Sequence, residues 1–251
     1  MGAGRLGRLT HHVDRVLTDT KIEDWPSLRT ALTILHETYS VPNVVISSIP
    51  MEPWLRDLTP PHIRSPVSDQ EQSLLCLASV RALAADAGVV DAMPSRGRRR
   101  STVYAGCIPL IPGYFSGVGD LFSALVLGHY HHTVAPQRSR PPVAPLEEEQ
   151  PEDRGASPSP SSLPPLLPHA VSLALTKTHA ILRLTEKHAS SLPPDERTTT
   201  DDELDKKDPE RRVRRMRGRE LRLVQGRKIL SGEAMGEVRL LREWEDFWGP
   251  D

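Results

Sequence analysis

The chain has 251 residues, enough for one ordinary α/β domain, but only 37% are hydrophobic and 24 are proline, so the part able to bury a core is shorter than the length. Lys and Arg number 32 against 33 Asp and Glu, a formal net charge of −1, and such a balance supplies no global field to draw in nucleic acid or an anionic membrane. The two cysteines, Cys76 and Cys107, sit in separate apolar runs without metal-ligand spacing, which reads as buried thiols in a reducing, cytoplasmic setting rather than a disulfide framework.

The first residues, MGAGRLGRLTHHVDRV, lack the apolar core of a secretion signal. Leu6 stands where a myristoylation signal needs Ser or Thr, and no later run is long and apolar enough to span a bilayer. Asp24 to Tyr39 has a helical pattern: Asp24 as cap, Pro26 in the first turn, and Leu28, Ala31, Leu32, Leu35 and Tyr39 on one face. Val44-Val45-Ile46 is the continuous apolar run of a parallel strand covered on both sides, stopped by Ser47-Ser48. Pro50 to Ser73 reads as a loop, Leu74–Ser79 as another buried strand and Arg81–Ala87 as helical. The basic run Arg96–Arg100 reads as an exposed insertion, with contact to nucleic acid or a triphosphate as its alternative.

Cys107–Tyr130, CIPLIPGYFSGVGDLFSALVLGHY, has the form of strand, glycine turn and helix. Pro112-Gly113 breaks the strand, and Gly117-Val118-Gly119-Asp120 opens a segment with Leu121, Phe122, Leu125 and Val126 at helical spacing. Glycines at 117 and 119 let successive N–H groups converge at a helix start, an anion-binding arrangement. Asp120 in the first turn stands where a base would take a proton from a hydroxyl attacking phosphorus. The same four residues also suit a plain helix cap with no ligand. His129, His131 and His132 at the far end of this helix lack the spacing and partners of a closed metal site, so no metal ligand is assigned to them.

Pro136 to Pro168 contains ten prolines, the acidic triplet Glu147-Glu148-Glu149 and Ser-Pro repeats, the composition of a disordered insertion. His169–Ala189 is a helix with Val171, Ala174, Leu175, Thr178, Leu182 and Thr185 on one face, closed by Pro193-Pro194. Asp195–Arg219, acidic and then arginine-rich, reads as a solvated linker. Its arginines from Arg211 to Arg219 could neutralise phosphates along a nucleic acid, but they lack stacking aromatics, and no nucleic-acid partner is expected. ELRLVQ, Glu220–Gln225, reads as the last strand, followed by a tail carrying Trp244, Phe247 and Trp248.

FSGVGDLFSALVL, LTDTKI (Leu17–Ile22), VPNVVISSIP (Val41–Pro50), LLCLAS (Leu74–Ser79), HAVSLALTKTHAILRLT (His169–Thr185) and ELRLVQ occur in one order, and together they resemble the C-terminal half of a pyridoxal kinase of the ribokinase-like superfamily. The resemblance implies an α/β fold: an incomplete ribokinase-like domain, its mostly parallel sheet flanked by helices, with disordered insertions. Val89–Met93 would run antiparallel to LLCLAS. The corresponding divisions are an unmatched segment 1–16, a nucleotide-binding core 17–135, a Pro-rich insertion 136–168, a core helix 169–192, a charged linker 193–219 and a terminal strand and tail 220–251.

The implied activity is transfer of the ATP γ-phosphoryl group to the hydroxymethyl oxygen of pyridoxal or related B6 vitamers, with Mg2+ as cofactor, homodimerisation and no membrane partner. Asp120 would be the catalytic base. The Gly117, Val118 and Gly119 amides would stabilise the transferring phosphoryl group, Ser47 and Ser48 would hold nucleotide phosphates, and Ile111 would wall the adenine. Val118 departs from the pattern, since relatives often carry Thr there. Met1–Val16 also departs: the Pro-Asn…Glu element that helps organise magnesium has no counterpart, nor does most of the pyridoxal pocket, so the resemblance begins midway through the domain. The alternative is a non-catalytic kinase remnant acting as an interaction protein through its Arg-rich and Pro-rich segments. A lesser one is a related kinase for a hydroxymethylpyrimidine or a sugar.

Overall fold

A computed structural model describes residues 18–64, 72–81, 101–113, 115–138, 165–193 and 202–249. Helix α1 spans Trp25–Thr33, opened by a capping box in which the Asp24 carboxylate accepts from Ser27 N–H at 2.8 Å and Ser27 Oγ accepts from Asp24 N–H at 3.1 Å. It continues into a π-helical turn, Ile34–Thr38. The wider turn shifts the phase of the helix, so His36 faces inward and Tyr39, expected on the apolar face, is 54% exposed. His36 is held at both ring nitrogens, Nδ1 by the Val41 carbonyl at 2.6 Å and Nε2 by Ser79 Oγ at 2.7 Å.

Strands β1 (Asn43–Pro50), β2 (Ser73–Val80), β3 (Thr102–Pro109) and β4 (Arg242–Glu243) form one sheet in the order β1-β2-β3-β4, with a short helix α2 (Pro53–Leu58) after β1. The α/β class is as expected, but every pairing is antiparallel, which corrects the mostly parallel sheet. A continuous apolar run reports that both faces of a strand are covered and is silent on direction. Both faces are covered here. Leu75 and Leu77 of β2 enter a core with Leu28 and Leu32 of α1, whereas Cys76 and Ala78 enter a second core on the opposite face. The cysteines are accordingly on opposite faces, both buried and neither in a disulfide, and burial pushes the Cys76 thiol up to about 12.

The second face is covered by α3 (Val118–Arg138) and α4 (Leu166–Ser190), which pack along each other, with Phe122, Val171, Ala174 and Leu175 buried against the sheet. Beyond them come α5 (Asp202–Lys207), α6 (Pro209–Gly218) and α7 (Arg227–Ser231). The charged stretch thus contains helices, and its arginines are in part internally committed. Arg211, only 6% exposed, donates to Asp205 at 2.7 Å, and Arg214 donates to Asp208 at 2.8 Å.

ELRLVQ is not a strand. Glu220 makes an isolated bridge and the residues after it turn onto α4, while the outer edge of β3 is taken by β4. The tail docks: Trp244 and Phe247 are buried with Trp25 against the first core, Arg29 Nε donates to the Phe247 carbonyl at 2.8 Å, and Trp248 Nε1 donates to that of Ser101 at 2.7 Å. Met1–Val16, Val89–Met93, Arg96–Arg100 and nearly all of Arg81–Ala87 lie outside the described residues, as does 139–164, most of the Pro-rich stretch; Pro136 ends up in α3 and Pro168 in α4. Among the described residues no helix is long and apolar enough to cross a membrane.

Candidate functional site: the glycine turn at the end of β3

β1 and β3 both pair with β2 in antiparallel fashion, so they run the same way and deliver their carboxyl ends to one end of the sheet. The two ends are separated by one strand, or about 10 Å across two strand spacings. From β3 the chain passes half-buried Ile111 and the turn at Gly113, then reaches Ser116, Gly117 and α3.

Gly117 has φ +80, a conformation that side chains disfavour, and both it and Gly119 are exposed. Among the described residues a Cβ at Gly119 would meet nothing within 4 Å, so these residues leave the approach to the turn open. The helix makes its first internal bond from Leu121 N–H to the Gly117 carbonyl at 3.0 Å. The amides of Val118, Gly119 and Asp120 precede that bond, at the positive end of a 21-residue helix. Asp120 is exposed in the first turn, whereas Phe122, two residues on, is 8% exposed and anchors the helix in the second core. The spacing thus predicts the local backbone correctly: a positive-φ glycine, a helix start and a carboxylate in its first turn.

Ser47 and Ser48 do not stop the strand. They form a bulge within β1, between the pairs Ile46–Leu77 and Ile49–Leu75, and Ser48 takes φ +63. A bulge satisfies the local change of direction without ending the ladder, which the sequence alone does not distinguish from a terminating turn. Both serines are half-buried and lie toward the same end of the sheet as the glycine turn, but among the described residues no hydrogen bond joins the two. Among the same residues, no three His, Cys, Asp or Glu side chains gather into a metal-binding group.

Sequence reasoning missed the support beneath the turn. Ser116 bridges Glu220 in parallel, and Leu221 Cδ1 lies 3.9 Å from where a Gly117 Cβ would be. Arg222 N–H donates to Thr185 Oγ1 at 3.1 Å. The only signal was ELRLVQ itself, whose alternation suits a strand; Gly226 just after it is the residue that permits a turn onto α4 instead.

The fold and site together define an α/β layered unit with a glycine-turn helix start at the carboxyl end of a strand. No family model matches the chain, and no curated protein matches it in sequence. Among solved structures it is similar to the pyridoxal kinase from Leishmania donovani in complex with ADP and pyridoxamine (18% identity, 93% of this chain and 49% of that one, TM-score 0.49). The same enzyme in complex with ADP matches at 19% identity and TM-score 0.48 over 93% of this chain and 50% of that one. Pyridoxal kinase from Trypanosoma brucei matches at 16% identity and TM-score 0.47 over 93% and 49%. The chain spans about half the length of the structures it matches.

Proposed function

We propose that this chain carries the phosphoryl-transfer half of a pyridoxal kinase-type site, taking the γ-phosphoryl group of ATP to the hydroxymethyl oxygen of pyridoxal. The observation that carries the reading is the exposed Gly117 turn, which presents the Val118, Gly119 and Asp120 amides at a helix start with the Asp120 carboxylate beside them. Pyridoxal as the acceptor and homodimerisation stand on the sequence resemblance alone, and a cytoplasmic setting on the reading of Cys76 and Cys107 as reduced thiols.

In this reading Asp120 accepts the proton of the attacking hydroxyl as the O–P bond forms, and ADP leaves with the electrons of the broken bond. The first-turn amides stabilise charge on the transferring oxygens without reorganising, because the helix already orients them. Ser47 and Ser48 donate to nucleotide phosphates and Ile111 meets the adenine. The open space over Gly119 fits a phosphate, and the magnesium ion that the resemblance implies would accompany the phosphates at this turn. Bound there, the ion would neutralise phosphate charge.

The test is ATP-dependent formation of pyridoxal phosphate by the purified chain beside Asp120→Asn. Loss of about 10²–10⁴-fold in rate, with unchanged ATP affinity, is the expected result. A folded wild-type chain that gives no turnover would remove the claim of activity for this polypeptide.

A further inference from the structure

Gly117 and Gly119 bring no side chain to hold the exposed turn, so its geometry depends on what lies beneath. That support is residues 220–226. One end is tied to the turn by the Ser116–Glu220 bridge and by Leu221 under Gly117. The other end is pinned to α4. Thr185 is fully buried; its hydroxyl donates to the Ile181 carbonyl at 2.8 Å and accepts Arg222 N–H at 3.1 Å, so both its roles are used. The segment then folds back, Gly226 N–H donating to the Arg222 carbonyl at 2.8 Å. A Cβ at Gly226 would fall 2.1 Å from Ile181 Cδ1 and 3.0 Å from that carbonyl, so a larger residue would have to displace the buried Ile181 side chain, and glycine suits this close approach to the helix.

Leu221 alone therefore separates the amide pinned to the interior from the residue bridged to the turn. We infer that residues 220–226 are a brace for the glycine turn and that Thr185, buried in the core, is a positioning residue that sets the phosphate-binding amides through Arg222 and Leu221. This rests on the reading of the turn as a polyphosphate site. Preorganised amides bind an anion more strongly than amides ordered on binding, so the hydroxyl in the core governs affinity at the surface.

Thr185→Val keeps the shape of the side chain and removes the hydroxyl; Thr185→Ser keeps the hydroxyl. In titrations with ATP, Thr185→Val should weaken binding about tenfold, the effect of one lost amide partner, and Thr185→Ser should stay within about twofold of wild type. Amide exchange across residues 115–121 should quicken in the valine variant only. Leu221→Ala, a half-buried change that leaves the core intact, should reproduce both effects should the valine variant fail to fold. A valine variant with a lower unfolding midpoint but unchanged exchange at 115–121 and unchanged ATP affinity would overturn the brace. If wild type binds no ATP, the reading of the turn fails, while quickened exchange in the valine variant still upholds the brace.

Discussion

The two faces of the sheet are closed by different chemistry. On the face covered by α1, an aromatic group of Trp25, Trp244, Phe247 and Trp248, with ring centroids 4.6–5.4 Å apart, seals the core through area and ring contact. On the face covered by α3 and α4, hydroxyls of one helix receive the backbone of the returning chain. Ser172 accepts Leu241 N–H at 2.8 Å, Thr176 accepts Arg239 N–H at 2.9 Å and Thr185 accepts Arg222 N–H at 3.1 Å. Ser172 and Thr176 rise about 6 Å along the helix, close to the rise of the two residues from Arg239 to Leu241 in extended chain, so the two spacings match. Apolar burial is non-directional and tolerates small shifts, whereas a hydrogen bond specifies position to a few tenths of an ångström. The glycine turn belongs to the second face, where position is what the proposed chemistry needs.

The comparison can be broken most severely on the aromatic side. Phe247 is 1% exposed, and Phe247→Ala should cost about 3–5 kcal/mol, read as a lower urea midpoint. ATP affinity of the folded fraction should not change, because that face does not support the turn. An altered affinity at full folding would mean that the faces are coupled.

Ser172→Ala should cost less, about 1–3 kcal/mol, because it strands the Leu241 N–H in a buried setting rather than emptying a volume. Ser172→Thr should recover most of that loss, and a double-mutant cycle with Phe247→Ala should be additive if the faces are independent.

A further effect appears in acid. Burial first, then the positive Arg239 and Arg183, pushes the His179 imidazole down to about 4, against about 6.5 in an unfolded chain. Between these values the unfolded chain binds more protons, so this stabilising contribution is present above about pH 6.5 and is lost progressively as the pH falls toward 4. His36 is shifted the same way, by burial first. The urea midpoint should therefore fall from pH 7.5 to pH 4.5, and His179→Leu should flatten that fall in part; an unchanged slope would place the pH dependence elsewhere.

Much of this was legible in the residues, and for identifiable reasons. Asp24, Pro26 and the spacing of Leu28, Ala31 and Leu32 mark α1 because capping and periodicity are local. The Gly117–Asp120 turn was legible for the same reason, since a positive φ and a helix start are properties of adjacent residues. The inward placement of His36 at the π turn was not, because its partner Ser79 is 43 positions away. Nor was the bulge at Ser47-Ser48, whose continuation past the bend depends on the partner strand β2.

By itself, then, the sequence determined the places where the backbone must turn, cap or bury a face, including the turn that presents its amides and Asp120 to solvent. Only the tertiary structure decided that the sheet is antiparallel, that Trp244 and Phe247 close one face, and that ELRLVQ leaves the sheet to lie beneath the glycine turn. Short-range sterics and periodicity act within a few residues and leave their mark in the order of amino acids. Strand direction and the choice between a sheet edge and a helix surface are settled by partners distant in the chain, by whether Arg222 N–H finds Thr185 or a neighbouring strand.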